Sequence, residues 1–398
     1  MIQSNTNHIG HDKPLKIAIV AACPFPFPRG TPVRIYRMAE ALALLGHEVH
    51  AVTYHLGEEP DSPPPFTIHR IADVKGYTRT EAGPSWKKLL RCDPPLTRLV
   101  GKVVREHEID IIHAHHYEGL IAAHYARKGG RKVPIVFDAH TTLASELHYY
   151  EMGLGKKLVT AIGKRIDGYF PKRAAHTVTV TDNIRDMLIK NNGVKPEDIT
   201  PMTNGVEVEH FDIDPSQAID DAPPGVKTLI FTGNLAGYQG VDLMLDAFAE
   251  VCAARDDVRL KILTKSPFDP YEEQAKKLGV RDKVVVAESS FADLPGHLVG
   301  SAVALNPRSE CDGVPVKLLN YMAAGLPVVS CAGSAVHLTH GERGWVTANH
   351  DASDFAKGIL HLLDHPDEAK QIGQNAKAFV RANLSWERVA GRCVALYG

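Results

Sequence analysis

The stretch Asp312–Val329, DGVPVKLLNYMAAGLPVV, has the pattern of a loop, a helix and a buried strand. Pro315 suits the first turn of a helix because its missing N–H has no intrahelical partner there, and Gly313 permits a tight turn before it. The residues that follow predict a helix over 315–324 and a strand over 327–330. The helix start offers free backbone N–H groups to an anion, although an ordinary capped connection has the same pattern.

The alternation of strand and helix extends from this stretch along nearly the whole chain. Further strands are predicted at 16–22, 48–54, 110–115, 134–138, 177–181, 228–232, 259–264, 284–287 and 302–306. Helical patterns between them predict parallel sheets covered on both faces. The fold class is therefore α/β, with two Rossmann-like, doubly wound domains whose strand ends face each other across a cleft.

The length of 398 residues also favours two domains over a single core. The acidic, proline-containing segment 212–227 interrupts the alternation and is the predicted linker. It separates an N-terminal domain over 14–211 from a C-terminal domain over 228–384. The polar residues 1–13 are expected to be a disordered lead-in, and 385–398 a terminal helix.

Composition excludes several classes of protein. The net charge of −2 argues against a dedicated nucleic-acid binder. Six scattered cysteines without a C-x-x-C pair are typical of reduced thiols in a cytoplasmic protein. No run approaches the ~18 apolar residues of a membrane span.

Two runs of basic residues lie in the first predicted domain. They cover 79–105 and 156–173. Such runs form a face that docks on anionic lipid at the inner side of the plasma membrane, or they are solvated helix faces. Both interpretations remain open at this stage.

The loop Pro24–Thr31, PFPFPRGT, follows the first strand and precedes a helix. Gly30 allows the backbone to approach a ligand, and the helix start beyond it favours a phosphate. The G-x-G-x-x-G fingerprint is absent, which disfavours a hydride-transfer dehydrogenase.

Taken in order, the segments of this chain resemble the retaining family 4 glycosyltransferases of the GT-B fold, also described as group 1. The resemblance rests on the Gly30 loop, GHEV at 46–49, HAHH at 113–116, FDAH at 137–140, TNGVEVEHF at 203–211, TGNLAGYQGVDLML at 232–245, the opening stretch 312–329 and SWERV at 385–389. It implies that the second domain binds a nucleotide-diphosphate sugar. The first domain is then expected to supply the acceptor site, and the terminal helix to cross back to it.

The resemblance also implies roles for single residues. The residues expected to bind the donor are Gly30, Thr31, Gly233, Asn234, Gln239, Gly240, Lys265, Arg308, Gly313, Val314, Pro315, Val316, Lys317 and Asn320. Asp312 would face the hydroxyls of the transferred sugar, and Asn320 the ribose hydroxyls. His140, with Asp312, is the expected catalytic residue, lying beneath the anomeric carbon. The residues expected on the acceptor side are His115, His116, Asp138, Glu146 and Asn204.

Three positions depart from the family pattern. Asn234 and Gln239 stand where an arginine and a lysine usually neutralise the diphosphate, and Asn320 replaces a glutamate. Each lost cation is worth on the order of 1 kcal/mol or more. Lys265, Arg308, Lys317 and, in the Gly30 loop, Arg29 are the cations expected to compensate.

We expect the reaction to need neither cofactor nor metal, because positive groups and helix starts take the place of a cation. His113 and His115 share one face of a strand while His116 points away, and no cysteine or carboxylate in sequence completes a zinc set. No acid pair at obvious spacing supplies a double-displacement nucleophile, so the resemblance implies a front-face reaction with retention.

The acceptor is expected to be a glycan, a lipid-linked sugar or a small molecule, in cell-surface polysaccharide or glycoconjugate assembly. Two alternatives keep the GT-B fold. One is a sugar-nucleotide epimerase or a phosphorylase, and the other is a catalytically silent binding protein, which the three departures favour.

Overall fold

The computed structural model describes residues 13–27, 30–60, 62–80, 86–127, 132–144, 156–311 and 313–397. The chain forms two compact units. The first comprises Met1–Gly205 with Trp386–Gly398, and the second Val206–Ser385. The acidic segment 212–227 belongs to the second unit, where Asp221 accepts a hydrogen bond from Lys261 Nζ at 2.8 Å. Most of the lead-in, residues 1–12, lies outside the described residues.

The first unit is built on a parallel sheet of seven described strands. Their order is β3-β2-β1-β4-β5-β6-β7. The strands are β1 (Lys16–Ala21), β2 (Glu48–Thr53), β3 (Thr67–Arg70), β4 (Ile111–His115), β5 (Ile135–Ala139), β6 (His176–Thr179) and β7 (Ile199–Pro201). The central strands β1, β4 and β5 are buried along almost their whole length, as expected of a parallel sheet covered on both faces.

Helices cover both faces of this sheet. They are α1 (Gly30–Leu44), α2 (Trp86–Arg91), α3 (Asp93–Glu106), α4 (His116–Ala126), α5 (Lys156–Asp167), α6 (Asp182–Asn192) and a C-terminal helix (Trp386–Val394). The helices α3 and α4 pack on one face, while α1 and the C-terminal helix share the apolar cluster on the other. Gly119 of α4 lies so close to β1 that an added Cβ would stand 3.0 Å from the Val20 carbonyl oxygen.

The second unit repeats the plan with a parallel sheet in the order β10-β9-β8-β11-β12-β13. Its strands are β8 (Lys227–Thr232), β9 (Val258–Leu263), β10 (Val284–Ala287), β11 (Val303–Asn306), β12 (Val328–Cys331) and β13 (Trp345–Thr347). Its helices are α7 (Val241–Ala254), α8 (Asp269–Lys277), α9 (Leu294–Val299), α10 (Val316–Ala324), α11 (Ala352–Asp364) and α12 (Pro366–Asn383). Both units are therefore Rossmann-like, as predicted.

The predicted strands are all present, and the differences lie at the sheet edges. The short strands β3, β7 and β13 were not predicted from the sequence. Each has three or four residues, too few to show a clear hydrophobic period. No described helix combines the length and apolar composition that crossing a bilayer requires.

We predict that Gly205→Ala destabilises the first unit. An added Cβ would lie 2.6 Å from Trp386 Cδ2 and 3.0 Å from the Trp386 Cα, so the C-terminal helix would have to shift. Overpacking of this kind costs about 1–3 kcal/mol. The midpoint of urea unfolding, followed by tryptophan fluorescence, should fall. Gly237→Ala is the matched control, since nothing lies within 4 Å of its Cβ position, and an equal loss there would contradict the explanation.

Candidate functional sites

Each unit has a point where the strand order reverses, and the predicted functional residues collect there. In the first unit β1 and β4 are neighbours, and the chain leaves them toward α1 and α4. In the second unit the equivalent neighbours are β8 and β11. Ligands of doubly wound sheets bind beyond the carboxyl ends of the strands at such points.

A buried ion pair organises the site of the first unit. Asp138, on β5, is fully buried, and its Oδ2 accepts hydrogen bonds from Arg34 Nε at 3.2 Å and Nη2 at 2.9 Å. The same guanidinium donates to Asn204 Oδ1 at 3.0 Å and to the Met202 carbonyl at 3.1 Å. One side chain of α1 therefore connects the end of β5 to the segment that follows β7.

His140 lies directly after β5, beside this pair. Its Nε2 is 3.5 Å from Asp138 Oδ1 and 3.2 Å from His115 Nδ1, and its Nδ1 is 3.4 Å from Thr31 Oγ1. Its ring stacks on His116, with 4.4 Å between centroids. The structure thus brings together four of the predicted residues with Thr31, which the sequence assigned to donor binding.

The electrostatics keep this cluster in one charge state. Burial alone would raise the pKa of Asp138, but the Arg34 guanidinium and the neighbouring imidazoles outweigh it and hold that pKa well below its usual range. Burial lowers the pKa of His140 well below its usual range despite the Asp138 carboxylate, and the pKa of His115 falls likewise. Burial also lowers the pKa of His116, whereas at the neighbouring His113 burial is outweighed by Cys393 and Asp138, which raise its pKa to about 9. At neutral pH the site therefore holds one carboxylate, one guanidinium, a protonated His113 and uncharged imidazoles at His115, His116 and His140. A neutral His140 suits hydrogen bonding to a hydroxyl rather than the stabilisation of an anion.

The interpretation of the histidine run needs two corrections. The strand ends at His115, as predicted, but His116 begins α4 with a positive φ of 58° and stacks on His140, so it does not point away as strand alternation would have it. Asp138 does supply a carboxylate to the pair His113 and His115, with its Oδ2 at 3.7 Å and 3.6 Å from their ring nitrogens. Sequence distance hid this carboxylate, which the neighbouring strand β5 brings alongside β4. Arg34 already occupies that oxygen, and its positive charge disfavours a cation there.

Arg34 is the functional residue of this site that sequence reasoning missed. It is 3% exposed and lies on α1 among apolar positions. An arginine at a core position of a predicted helix is the signal that would have found it, because buried arginines are nearly always paired. Of the other predicted residues, Glu146 and Arg29 lie outside the described part of the chain.

In the second unit, a glycine-bounded loop follows β8. Gly233 has a φ of 124° and Gly240 a φ of 72°, both in the region that favours glycine. A Cβ on Gly240 would stand 2.4 Å from the Pro307 carbonyl oxygen, so this loop packs directly on the end of β11. The loop ends at Gly240, which precedes the first turn of α7.

Lys317, in the first turn of α10, is the central cation of this site. Its Nζ donates to Gln239 Oε1 at 2.7 Å and lies 3.8 Å from the centroid of the Phe231 ring. A Cβ on Gly233 would be 3.7 Å from the same nitrogen. Burial, and then the nearby Arg308 guanidinium, lower the pKa of Lys317 to about 7. A cation so poorly solvated has a strong preference for an anionic partner.

The two family cations are replaced by amides that bond to each other. Asn234 Oδ1 accepts from Gln239 Nε2 at 3.3 Å and from the Ala236 N–H at 3.2 Å. Arg308 follows β11 and lies over the ring of Tyr238, with 4.8 Å between guanidinium carbon and ring centroid. Lys265 is exposed just after β9. Lys317 and Arg308 therefore lie close to the loop in which the usual cations are missing.

The start of α10 follows the predicted loop-to-helix pattern. Pro315 caps the helix and Val316 begins it, so the observed helix starts one residue later than predicted. Gly313 and Val314 are half-buried before it, and Asn320 is buried one turn beyond Lys317. Asp312 lies outside the described residues.

Tyr321 is a positioning residue that the sequence did not reveal. It is fully buried on α10, and its hydroxyl oxygen accepts a hydrogen bond from the Thr232 N–H at 2.8 Å. This bond fixes the last residue of β8, and thereby the start of the Gly233 loop, to α10. In sequence Tyr321 looks like any apolar core position.

Comparison with known proteins identifies a family for each of the two units. The family model "Glycosyltransferase Family 4" matches residues 28–210, and the model "Glycosyl transferases group 1" matches residues 226–365. The two models together match most of the chain, one over each unit.

Individual relatives extend over nearly the full length. The chain is 25% identical to the D-inositol 3-phosphate glycosyltransferase of Thermobispora bispora, covering 92% of this chain and 89% of that protein. It is 24% identical to the phosphatidyl-myo-inositol mannosyltransferase of Mycolicibacterium smegmatis, covering 96% and 93%. Among solved structures it resembles Anabaena HepE in complex with UDP, with a TM-score of 0.70, 15% identity and coverage of 95% and 98%. The order of the sheets, the two family models and these relatives agree, and the chain belongs to the family 4, group 1 type of glycosyltransferases with the GT-B fold.

Proposed function

We propose that this glycosyltransferase transfers a sugar from a nucleotide-diphosphate sugar, with retention of configuration, to a glycan, lipid-linked or small-molecule acceptor. The observation that carries the proposal is the half-buried Lys317, held against Gln239 and Phe231 at a helix start. A diphosphate is the anion that such a group, flanked by free backbone N–H groups, is suited to bind.

In this proposal Lys317 and Arg308 replace the two missing family cations. The shorter amides Asn234 and Gln239 shape the loop, and Gln239 keeps Lys317 in place until the diphosphate takes over its Nζ. Asn320 meets the ribose, because an amide can both donate and accept there. HepE is described in complexes with UDP and UDP-glucose, which supports the same class of donor for this chain.

The transfer step is proposed to follow the front-face route without cofactor or metal. The bond from the anomeric carbon to the diphosphate breaks as the acceptor oxygen bonds to the same face. The acceptor's proton passes to the leaving diphosphate oxygen. The chain's part is then positioning and charge stabilisation, with neutral His140 as a hydrogen-bonding group against the transferred sugar and Asp312 against its hydroxyls.

A silent binding protein remains the second candidate, because the amides at 234, 239 and 320 remove three charges from the family pattern. The network around His140 argues against it. A buried arginine, a buried carboxylate and an ordered pair of imidazoles are costly to keep without a role. An epimerase or phosphorylase has no specific observation in its favour.

We predict that the wild-type protein releases a nucleoside diphosphate from at least one member of a panel of UDP- and GDP-sugars. His140→Ala should lose most turnover, roughly a hundredfold or more, while keeping donor affinity within a few fold, because Lys317 and Arg308 remain. Both are measured by coupled nucleotide release and by calorimetric titration. Isomerised donor would indicate an epimerase. Failure of every donor to bind would indicate a silent binding protein. Full activity of His140→Ala would refute the catalytic role of this residue.

We predict that affinity for the donor decreases as pH rises above about 7. Lys317 has a pKa lowered to about 7 in the free protein, and a diphosphate favours its protonated form. Binding therefore takes up a proton between this pKa and the higher pKa in the complex, and the dissociation constant should rise by up to roughly tenfold per pH unit. Titration calorimetry from pH 6 to 9 measures this.

Lys317→Gln is the matched variant for this pH experiment. It should bind more weakly at pH 6 and show a nearly flat profile. An unchanged slope in the variant would mean that another group titrates.

The first unit also has surfaces suited to an anionic membrane, which fits a lipid-linked acceptor. In α2, Leu89 and Leu90 are 47% and 70% exposed beside the exposed Lys87 and Arg91. In α5, Ile162 is exposed, and the exposed cations Lys164 and Arg165 follow it closely in sequence. Lys88 is an exception within the first basic run, since it forms a mostly buried ion pair with Glu118. We propose that the remaining basic and apolar side chains support peripheral binding to anionic lipid.

We predict that the protein co-sediments with phosphatidylserine-containing vesicles at low salt and less at high salt. Replacing Leu89 and Leu90 together by serine should weaken binding several-fold, because about 25 cal/mol is lost for each Å² of apolar surface that would be buried. Leu44→Ser, which changes an exposed leucine of α1, is the control. Absence of binding to anionic vesicles at low salt would end the membrane proposal.

A further inference from the structure

We propose that His50, His69 and His107 form a transition-metal site that fastens the edge of the first unit's sheet. One ring nitrogen of each lies within 4.8 Å of those of the other two. This cluster has no part in the site around His140 or in the Lys317 site, and all three histidines lie in described residues.

The fold brings the three histidines together from three elements. His50 is on β2 and His69 on the neighbouring edge strand β3, and the pairing of His50 with Thr67 places both imidazoles on the same face. His107 caps the carboxyl end of α3, which packs on that face. The rings of His50 and His107 are 4.1 Å apart at their centroids, and each is 5.2 Å from that of His69.

The distances between nitrogens suit a first-row metal. His50 Nδ1 is 3.0 Å from His69 Nε2. Zinc bound to imidazole at about 2.0–2.1 Å with tetrahedral angles separates its ligand nitrogens by about 3.3 Å. Small ring rotations bring three nitrogens within 4.8 Å to that spacing. Three imidazoles with an open fourth position favour Zn²⁺ over hard cations such as Mg²⁺ or Ca²⁺.

Glu48 supplies the outer support that metal-binding histidines usually have. Its Oε1 lies 2.9 Å from His50 Nε2. When Nε2–H donates to this carboxylate, the lone pair of Nδ1 is directed toward His69. The hydrogen bond fixes the tautomer that a metal requires.

The charges around the cluster are mixed. Glu48 and Glu106 attract a cation, while Lys16 and Lys102 oppose it. His50 is buried, but the half-exposed His69 and His107 leave the cluster open to solvent.

Its place in the sheet assigns the metal a structural role. His50 is near the amino end of β2, whereas the candidate catalytic residues follow the carboxyl ends of the strands. A metal bound here would join β2, β3 and α3, and it would stabilise the folded unit without meeting the substrate.

Two other clusters are weaker candidates among the described residues. The set His113, His115 and Asp138 is occupied by Arg34, as described above. His361, His365 and Glu368 are half-exposed or exposed, and His365 Nδ1 is 2.9 Å from the backbone carbonyl of His361. The last cluster needs its own control.

The test is a Zn²⁺ titration of the full chain, freed of metal and of any affinity tag, in competition with a chromophoric chelator. The wild type should bind one high-affinity Zn²⁺ and gain several degrees in its thermal midpoint. His69→Gln should raise the dissociation constant roughly a hundredfold and remove the gain, and Glu48→Gln should raise it about tenfold. Zinc-edge X-ray absorption should show three imidazole nitrogens at about 2.0 Å.

Two control variants make the result decisive. His176→Gln changes a half-buried histidine at the start of β6 and should leave the affinity unchanged, and so should His365→Gln. Without metal, His69→Gln should match the wild type in circular dichroism and in donor binding. Equal affinity in His69→Gln and wild type, loss of the site in His365→Gln, or absence of tight Zn²⁺ binding in the wild type would overturn the proposal.

Discussion

The interaction between Asp138 and Arg34 is the constraint on which the first unit's site depends. Both side chains are withdrawn from water, so loss of either would leave a buried charge and cost about 3–5 kcal/mol. The guanidinium reaches β5, Asn204 and Met202 at once. The carboxylate, held as an anion, then sets the surroundings of His115 and His140. The geometry around His140, the residue proposed to be catalytic, is thus set by a buried ion pair.

In the second unit, the positive charge of the candidate site comes from a different element than the family pattern predicts. The family places two cations on the loop after β8, but here that loop carries two amides and the cation comes from α10. Lys317 Nζ packs over the Phe231 ring and donates a hydrogen bond to Gln239 Oε1. These two contacts define the position of Lys317 before any ligand binds. In the proposed donor site, this hydrogen bond between the loop and the helix compensates for the departures at 234 and 239. Tyr321 and Gly240 keep those two segments in register.

Much of the fold followed from sequence because strongly apolar strands alternate with helical patterns. KIAIVA and its neighbours show the continuous burial of parallel strands. The edge strands were not predicted, since a strand of three or four half-exposed residues carries little periodic signal. The candidate site residues at strand ends and helix starts were predicted through motifs. Arg34, Tyr321 and the carboxylate partner of the histidines were not, because their importance arises from contacts between residues far apart in the chain.

The histidines at 113–116 show the same limit in detail. A strand predicts alternation, yet the chain turns into α4 at His116 through a left-handed backbone conformation. That turn stacks His116 on His140, a neighbour 24 residues later. No local pattern contains this information, since it depends on which strand lies beside β4.

The C-terminal helix, by its position in the chain, affects when the first unit can finish folding during synthesis. It packs on α1 and completes the apolar cluster on one face of the sheet, but it is made only after the whole of Val206–Ser385. During synthesis, that face of α1 in the first unit stays uncovered while the second unit is made and folds. The first unit can therefore complete its core only after this C-terminal helix has been synthesised.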